Sequence, residues 1–338
     1  MNLAIKEIKY AKFKYFLIAS IIFLLCFLVL FVSSLAQGLK KDNISYIDAL
    51  DTKYFIVSKD ADKNIMNSNL SLNQKVIDKE DYQTLSMIPV AFSSNDKVLL
   101  STFHNPSTKN AALLPKENDE MILDVHLKGE IKTHHTFKGT KHKIHITKYT
   151  DYQMYGHAPV GFVTEKTLKH IRPNTNAILA QNLDDAKAIK AKLKDVEIIN
   201  KDDAKNALPS FQAEQMPLNL MVFFLFLISA IVITVFFYVI TIQKTTEYGI
   251  LKAIGTKTSK LVQKIITEVL TIVGVSISLS IAIMFIIDQL IPDKMPYYLN
   301  TNLIFILVGL FILVSLLGAL LSVIKVLKID PIKAIGGE

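Results

Sequence analysis

Four stretches of this 338-residue chain contain no Asp, Glu, Lys or Arg over a length that could cross a membrane. They cover residues 15–39, 215–243, 269–287 and 295–324. A helix that spans the hydrocarbon core needs about 20 apolar residues, so the sequence predicts an α-helical membrane protein with four transmembrane helices. The apolar part of the first stretch exceeds the roughly 7–15 residues of a secretory signal, which favours a retained anchor over a cleaved signal peptide.

The distribution of lysines predicts how these helices are oriented. Thirteen lysines lie outside 38–214: four precede the first stretch, five lie between Lys244 and Lys264, one is Lys294, and three follow the fourth stretch. Short basic loops stay in the cytoplasm. We therefore expect a multi-pass protein of the cell membrane, with both termini in the cytoplasm and residues 38–214 outside.

The predicted organisation alternates transmembrane helices with loops and one large domain. Its parts are a cytoplasmic amino terminus at 1–14, transmembrane helices at 15–37, 215–243, 262–287 and 302–325, an extracytoplasmic domain at 38–214, a cytoplasmic segment at 244–261, an outer loop at 288–301 and a cytoplasmic tail at 326–338. The extracytoplasmic domain is thus expected between the first and second transmembrane helices.

The charge balance argues against a nucleic-acid partner. The chain has a net charge of +8, but residues 38–214 carry 25 Lys+Arg and 23 Asp+Glu. The excess of positive charge therefore belongs mostly to the cytoplasmic side, where we expect membrane lipid and no nucleic acid as a partner. The single cysteine, Cys26, lies within the first predicted helix, so no intrachain disulfide stabilises the external domain, which must fold on its own core.

The external domain is predicted to be mixed α/β. In 121–150 apolar residues alternate with polar ones, a pattern typical of half-buried antiparallel strands, and the chain can turn near Lys138 and Gly139. Residues 176–208 follow with an apolar strand, a helix from about Asp184 to Lys194, a second strand at 196–199 and another short helix. The acidic first turn and basic last turn of that helix suit the helix dipole.

The sequence contains no motif of a catalytic site. A phosphate-binding Gly-x-x-x-x-Gly-Lys-Ser/Thr loop and a Gly-x-Ser-x-Gly nucleophile elbow are both absent, so we expect a protein that is not an enzyme. All eight histidines lie in the external domain, four of them within 131–146. A zinc site needs three or four converging ligands. With no external cysteine to help, solvated strand histidines are favoured over a metal site.

Residues 247–255, with the sequence EYGILKAIG, form a short amphipathic pattern between two apolar stretches. Ile250, Leu251 and Ile254 share one face of a helix, while Glu247 and Lys252 lie on the rest. One interpretation is a solvated intracellular turn. The other is a helix that docks its apolar residues into a groove of a cytoplasmic partner, with Gly255 ending the helix. Periodicity alone does not decide between them.

This segment resembles the coupling helix of MacB/FtsX-type ABC transporter permeases. The matching positions are Glu247, Gly249, Ile250, Leu251, Lys252, Ala253, Ile254 and Gly255, and Tyr248 stands where that motif has an isoleucine. The ending KIDPIKAIGG, at 328–337, is also similar to that family. The resemblance implies a permease homodimer and a separate ABC ATPase subunit that holds ATP and binds each coupling helix. It implies no cofactor bound to this chain.

Four further segments resemble the haem-efflux permeases of Gram-positive bacteria within that superfamily. They are MNLAIKEI at the amino terminus, LAQGLKKDNIS at 35–45, PSFQAEQMPLNLM at 209–221 and FFYVITIQKT at 236–245. The resemblance runs along nearly the whole chain and is weakest in the external domain. It implies that haem is the transported substrate and that the ATPase subunit is of the haem-efflux type.

Haem is a flat apolar ring with two carboxylates, so its site needs apolar walls and an iron ligand such as Tyr, Met or His. Tyr238 is expected in the inner half of the second transmembrane helix, with Glu214 and Met216 at its outer end. Tyr46 lies just beyond the first helix, and Tyr155 lies in the external domain. The resemblance implies that Tyr155 and Tyr238 correspond to haem-contacting tyrosines. Apart from the haem iron, no metal is expected.

Each of these five residues has a plainer interpretation, as a packing or surface residue. Arg172, the single arginine, could pair with haem propionates or serve a structural role before Pro173. Two other functions also remain open: an FtsX-like regulator of a cell-wall hydrolase, and an exporter of peptides or antibiotics. Residue chemistry alone chooses neither the substrate nor the identity of the ATPase.

Overall fold

A computed structural model describes residues 3–70, 74–92, 97–128, 134–136, 143–171, 174–292 and 295–327. The chain divides into two compact units. We call Met1–Gly38 with Pro217–Glu338 the helical unit, and Leu39–Met216 the sheet unit. The predicted turn at Lys138 and Gly139, Arg172 with Pro173, Lys294 and the ending at 328–337 lie outside the described residues.

The helices and strands are numbered in chain order. The helices are α1 Leu3–Tyr10, α2 Lys12–Ala49, α3 Gln74–Glu80, α4 Thr108–Ala111, α5 Glu165–Ile171, α6 Leu183–Lys192, α7 Lys201–Asn206, α8 Pro209–Gln243, α9 Thr245–Ala253, α10 Thr258–Leu290 and α11 Thr301–Leu327. The strands are β1 Tyr54–Ser58, β2 Thr84–Ala91, β3 Lys97–His104, β4 Glu120–Asp124, β5 His134–Thr136, β6 Lys143–Thr150, β7 Met154–Tyr155, β8 Ala158–Val163, β9 Ala177–Ala180 and β10 Val196–Asn200.

Four helices, α2, α8, α10 and α11, are long and apolar enough to cross a membrane, which confirms the four predicted from the uncharged stretches. Their packed sides bury apolar residues such as Ile22, Ile233 and Phe311. Two serines of α10 bridge to α2: Ser276 donates to the carbonyl of Ala19 at 2.9 Å and Ser280 to that of Phe23 at 3.1 Å. Such interhelical hydrogen bonds satisfy small polar groups within apolar surroundings.

The strands of the sheet unit form one mixed sheet, in the order β10-β1-β9-β2-β3-β8-β4-β6-β5, with β7 paired to β8. Most neighbours are antiparallel, but β3 pairs with β8 and β4 pairs with β6 in parallel. Alternate residues of β3 serve two cores: Leu99 and Phe103 belong to one buried cluster, and Val98 and Leu100 to another. The predicted mixed α/β character is confirmed.

The prediction of antiparallel strands across 121–150 is wrong in part. Only β5 and β6 are antiparallel, with His134 opposite His145, whereas β4 runs parallel to β6. The strand β4 stops at Asp124, whose carboxylate accepts the backbone N–H of His126 at 2.8 Å and that of Gln153. Because a side chain that binds nearby N–H groups competes with the strand ladder, the next residues form a 3₁₀ turn instead of continuing the strand.

The predicted unit of strand, helix and strand at 176–208 is confirmed as β9, α6 and β10. Asn182 caps α6, since its side-chain oxygen accepts the N–H of Asp185 at 2.8 Å. The helix ends at Lys192, two residues before the expected end. Both strands pair antiparallel with β1, which lies between them, so β9 and β10 run parallel without touching.

Candidate functional site

The segment that resembles a coupling helix is helical, as α9. Two backbone hydrogen bonds form its C-cap. The N–H of Gly255 donates to the carbonyl oxygen of Lys252 at 3.0 Å, and the N–H of Thr256 donates to the carbonyl oxygen of Leu251 at 2.9 Å. Gly255 has a φ of 90°, in the left-handed region that favours glycine. These two bonds are local, because both join backbone groups within residues 251–256.

One side of α9 is exposed and the other is buried. Ile250, Ile254 and Glu247 are exposed, whereas Tyr248 and Gly249 are buried. Leu251 is half-buried and packs against the core of the helical unit. Ile250 in α9 and Ile254 directly after it thus leave apolar surface that the described residues of the helical unit do not cover.

A cluster of four charged side chains holds the chain at the start of α9. We call Glu7, Lys244, Lys264 and Glu268 the charge cluster. Lys244 Nζ lies 2.8 Å from Glu268 Oε1 and also pairs with Glu7 Oε1, while Lys264 Nζ pairs with Glu7 Oε2. Lys244, Lys264 and Glu268 are almost fully buried. With two positive and two negative groups, the cluster is neutral.

Two tyrosines complete this arrangement. The hydroxyl of Tyr15, on α2, donates to Glu268 and accepts from Lys244. The ammonium of Lys264 lies 5.1 Å from the ring centroid of Tyr248, within the range of a cation–π contact. Burial raises the pKa of Glu7, but hydrogen bonds and charges from Lys244 and Lys264 outweigh burial and hold that pKa below its usual value. Glu7 is therefore ionised at neutral pH.

The far end of α9 is joined to α11. Lys252 Nζ donates to the carbonyl oxygens of Val326 at 2.8 Å and Leu327 at 3.3 Å. Val326 and Leu327 are the last residues of α11 within the described part of the chain, and a cation is favoured toward the carboxyl end of a helix. An open cavity of about 720 Å³ lies beside α9 and is lined by residues of α1, α2, α8, α9 and α10, with Glu7, Lys244 and Lys264 of the charge cluster in its wall. Lys6, Tyr10, Lys14 and Ile250 are among its lining residues.

Sequence reasoning missed the charge cluster. Glu7 and Lys264 meet although more than 250 positions separate them in the chain. One signal was available: Glu268 directly precedes an uncharged stretch and lies inside α10. An ionisable residue within a membrane helix indicates a partner and a function, yet the sequence does not identify that partner.

Of the five haem candidates, Tyr46 and Tyr155 lie together inside the sheet unit. Both are buried, their ring centroids are 6.4 Å apart, and the rings meet edge to face. Tyr46 shares a hydrogen bond with Ser101, and Tyr155 donates to Asn64 at 3.3 Å. Burial raises the pKa of the Tyr155 phenol above its ordinary value, so it stays protonated. Tyr46 lies within α2, which continues to Ala49.

Glu214 lies in a polar cluster at the start of α8. Its carboxylate accepts from Asn43 Nδ2 at 2.9 Å and lies 2.9 Å from His157 Nε2. The other imidazole nitrogen of His157 faces Asp42 at 3.9 Å. The Glu214 side chain remains 30% exposed, so a ligand could reach it.

The last two candidates are accessible. Met216 is strongly exposed and Tyr238 is 39% exposed. Met216 belongs to the sheet unit and Tyr238 to the helical unit. Among the described residues, no group of three or more His, Cys, Asp or Glu side chains could hold a metal ion.

The chain is similar in sequence to known membrane permeases. Residues 219–331 match the family model described as FtsX-like permease C-terminal. The putative hemin transport system permease protein HrtB of Staphylococcus haemolyticus is 36% identical over 350 residues, covering all of this chain and 99% of that protein. The protein of the same description from Staphylococcus epidermidis strain ATCC 12228 is 33% identical over 351 residues, with the same coverage.

Proposed function

This chain belongs to the family of HrtB hemin transport permeases, and we propose that it removes haem from the membrane as the permease subunit of an ABC exporter. It is a multi-pass membrane permease and not an enzyme. The observation that carries the proposal is full-length similarity to proteins named for hemin transport. The exposed apolar side of α9 supports an arrangement in which a second protein supplies the driving force.

We assign ATP hydrolysis to an HrtA-like ABC ATPase subunit that docks on α9. Ile250 and Ile254 would enter its groove, with Leu251 at the margin, because apolar anchors on one helix face are the usual basis of such docking. The permease would act as a homodimer with two ATPase subunits. ATP-driven closure would displace α9, and the helices joined to it would pass the motion to the sheet unit.

For haem, accessibility separates the five candidates. Glu214, Met216 and Tyr238 are reachable in the structure as it stands, and carboxylate, thioether and phenol groups can all contact haem or its iron. Tyr46 and Tyr155 are covered by the core of the sheet unit. A ring the size of haem would have to open that core to touch them. We therefore propose packing roles for these two tyrosines and substrate contact for the other three.

The proposed orientation places the sheet unit outside the cell and α9 in the cytoplasm. It rests on the lysines that flank the apolar helices. The variant Lys166→Cys places a thiol at an exposed position of α5. This thiol is expected to react with a membrane-impermeant thiol reagent on intact cells. The variant Lys257→Cys places a thiol at an exposed position between α9 and α10. This thiol is expected to react only after the cells are opened.

The parent protein is the control for this labelling, because its one cysteine, Cys26, is fully buried. Both variants are labelled again after detergent treatment to show that each thiol is reactive. Labelling of Lys257→Cys but not Lys166→Cys on intact cells would reverse the proposed orientation.

The proposed substrate is tested by deletion and rescue. A strain that lacks the permease is expected to stop growing at a lower haem concentration than its parent, since an exporter lowers the amount of haem in the membrane. Expression of the permease with its ATPase should restore growth, and expression of the permease alone should not. Equal haem tolerance with and without the permease would contradict haem export and favour a regulatory role.

A further inference from the structure

The charge cluster is an unusual feature for a membrane permease to retain. Removing charges from water is costly, and a buried ion pair is often no more stabilising than well-packed apolar residues in its place. Here Lys244, Lys264 and Glu268 are only 6%, 5% and 4% exposed. Stability alone is therefore a weak explanation for the charge cluster. The helices that the cluster connects suggest a stronger explanation.

The charge cluster joins four parts of the helical unit. Glu7 comes from α1, Lys244 immediately precedes α9, and both Lys264 and Glu268 come from α10. Tyr15 adds α2 through its contacts with Lys244 and Glu268. Each oxygen of Glu7 binds a different lysine, so this one carboxylate links the start of α9 to α10.

A displaced α9 must therefore either break these contacts or move its neighbours with it. Lys244 has two ion-pair partners in the cluster, Glu7 and Glu268, and a third contact with Tyr15. At a buried site, each broken ion pair leaves a charge uncompensated. Movement with the neighbours is consequently the less costly outcome. At the far end, Lys252 ties α9 to the last carbonyls of α11 in a similar way.

We infer that the charge cluster transmits the displacement of α9 to α1, α2 and α10, so that Glu7, Lys244, Lys264 and Glu268 are positioning residues for energy coupling. This inference rests on the proposed function, because it requires an ATPase that moves α9. It adds residues that lie outside the docking surface itself. It separates the role of binding the ATPase, given to the exposed isoleucines, from the role of passing on its motion.

The test is the double variant Lys244→Met, Glu268→Gln. It removes one positive and one negative formal charge and cuts the side-chain links from Lys244 to α1, α2 and α10, while the Glu7 to Lys264 pair between α1 and α10 remains. We expect the variant to fold, to bind the ATPase and to hydrolyse ATP. Haem moved per ATP hydrolysed in reconstituted vesicles is expected to fall about tenfold, within the usual range of coupling between sites. Lys260→Met, an exposed lysine of α10, is the matched control.

A second measurement does not depend on haem. In the assembled complex, a non-hydrolysable ATP analogue is expected to change amide hydrogen exchange in both α9 and α10 of the parent. In the double variant the change should persist in α9 and be lost from α10. A role in stability alone would alter exchange with and without the analogue equally.

The outcomes distinguish this inference from the proposed function. If the parent exports haem and the double variant moves as much haem per ATP, with the same response in α10, only the inference is overturned. If the parent exports no haem but its α10 responds to the analogue through the cluster, the inference stands and the proposed substrate is wrong. A parent that assembles with no ATPase overturns both.

Discussion

Replacing Ile250 by Asp is expected to prevent assembly of the permease with its ATPase while leaving insertion and folding unchanged. Ile250 is 47% exposed on α9, so an aspartate there is solvated in the free permease. In the complex the same carboxylate would be buried in an apolar groove without a partner. Truncating a hot-spot residue at the centre of an interface costs about 2 kcal/mol or more, and a buried unpaired charge adds to that cost. We expect the Kd to rise at least about 30-fold.

The measurement is co-purification of the ATPase with the tagged permease, followed by ATPase activity in vesicles. Val125→Asp is the matched control, because Val125 is 41% exposed in the sheet unit and is likewise a β-branched apolar residue replaced by a carboxylate. Leu251→Asp is a poorer choice, since Leu251 also packs against the helical core. If Ile250→Asp and the Ile254→Asp variant both assemble as well as the parent, α9 is not the docking helix.

Replacing Glu214 by Gln is expected to weaken haem binding by the purified permease by about tenfold or more. The change keeps the shape of the side chain and one acceptor for Asn43, but removes the charge that can ligate ferric iron or orient the entering ring. A lost charged contact of this kind is worth about 1.5–3 kcal/mol. Haem titration followed by the absorbance band of bound haem measures the effect.

Glu165→Gln provides a close control for Glu214→Gln. Glu165 also lies beside a histidine, with His104 Nδ1 at 3.0 Å, and its side chain is 34% exposed against 30% for Glu214. A general effect of losing a carboxylate beside histidine would weaken binding equally in both variants. Equal affinities in the parent and in both variants would instead remove Glu214 from the haem site.

The same haem titration with the variant Tyr238→Ala tests whether Tyr238 contacts haem. It is 39% exposed, and Tyr298→Ala supplies a tyrosine of equal exposure, 40%, elsewhere in the helical unit. A loss confined to Tyr238→Ala would support contact with haem on α8. Retained affinity in Tyr238→Ala would leave it a packing or lipid-facing residue.

Sequence patterns predicted the features that depend on short stretches of chain. Length without charge identified the four apolar helices, and the glycine after a periodic segment identified the end of α9. Features that depend on distant residues were not predictable. The end of β4 at Asp124 depends on two N–H groups that its carboxylate accepts, one of them 29 positions away.

The candidate site also combines features that local sequence predicts with features that depend on distant residues. Periodicity predicted an apolar face with Ile250, Leu251 and Ile254, of which the two isoleucines are exposed and Leu251 is half-buried. It did not predict the contacts beneath α9, because Glu7 meets Lys244 only through the tertiary fold. The buried position of Tyr46 was also missed. The helix α2 extends about ten residues beyond its uncharged stretch, so Tyr46 enters the sheet unit as part of a helix and packs near Tyr155. Hydropathy marks where apolar sequence ends, which differs from where a helix ends.

The C-cap at Gly255 has a consequence for the speed of association. Both of its hydrogen bonds are local, and a side chain at Gly255 would have open space around its Cβ, so the backbone cap of α9 forms within the segment itself. A docking helix that is folded before its partner arrives loses little conformational entropy on binding. We expect the ATPase to associate in a single concentration-dependent phase, at a rate typical of preformed surfaces, about 10⁵–10⁷ M⁻¹s⁻¹, without a slower folding step.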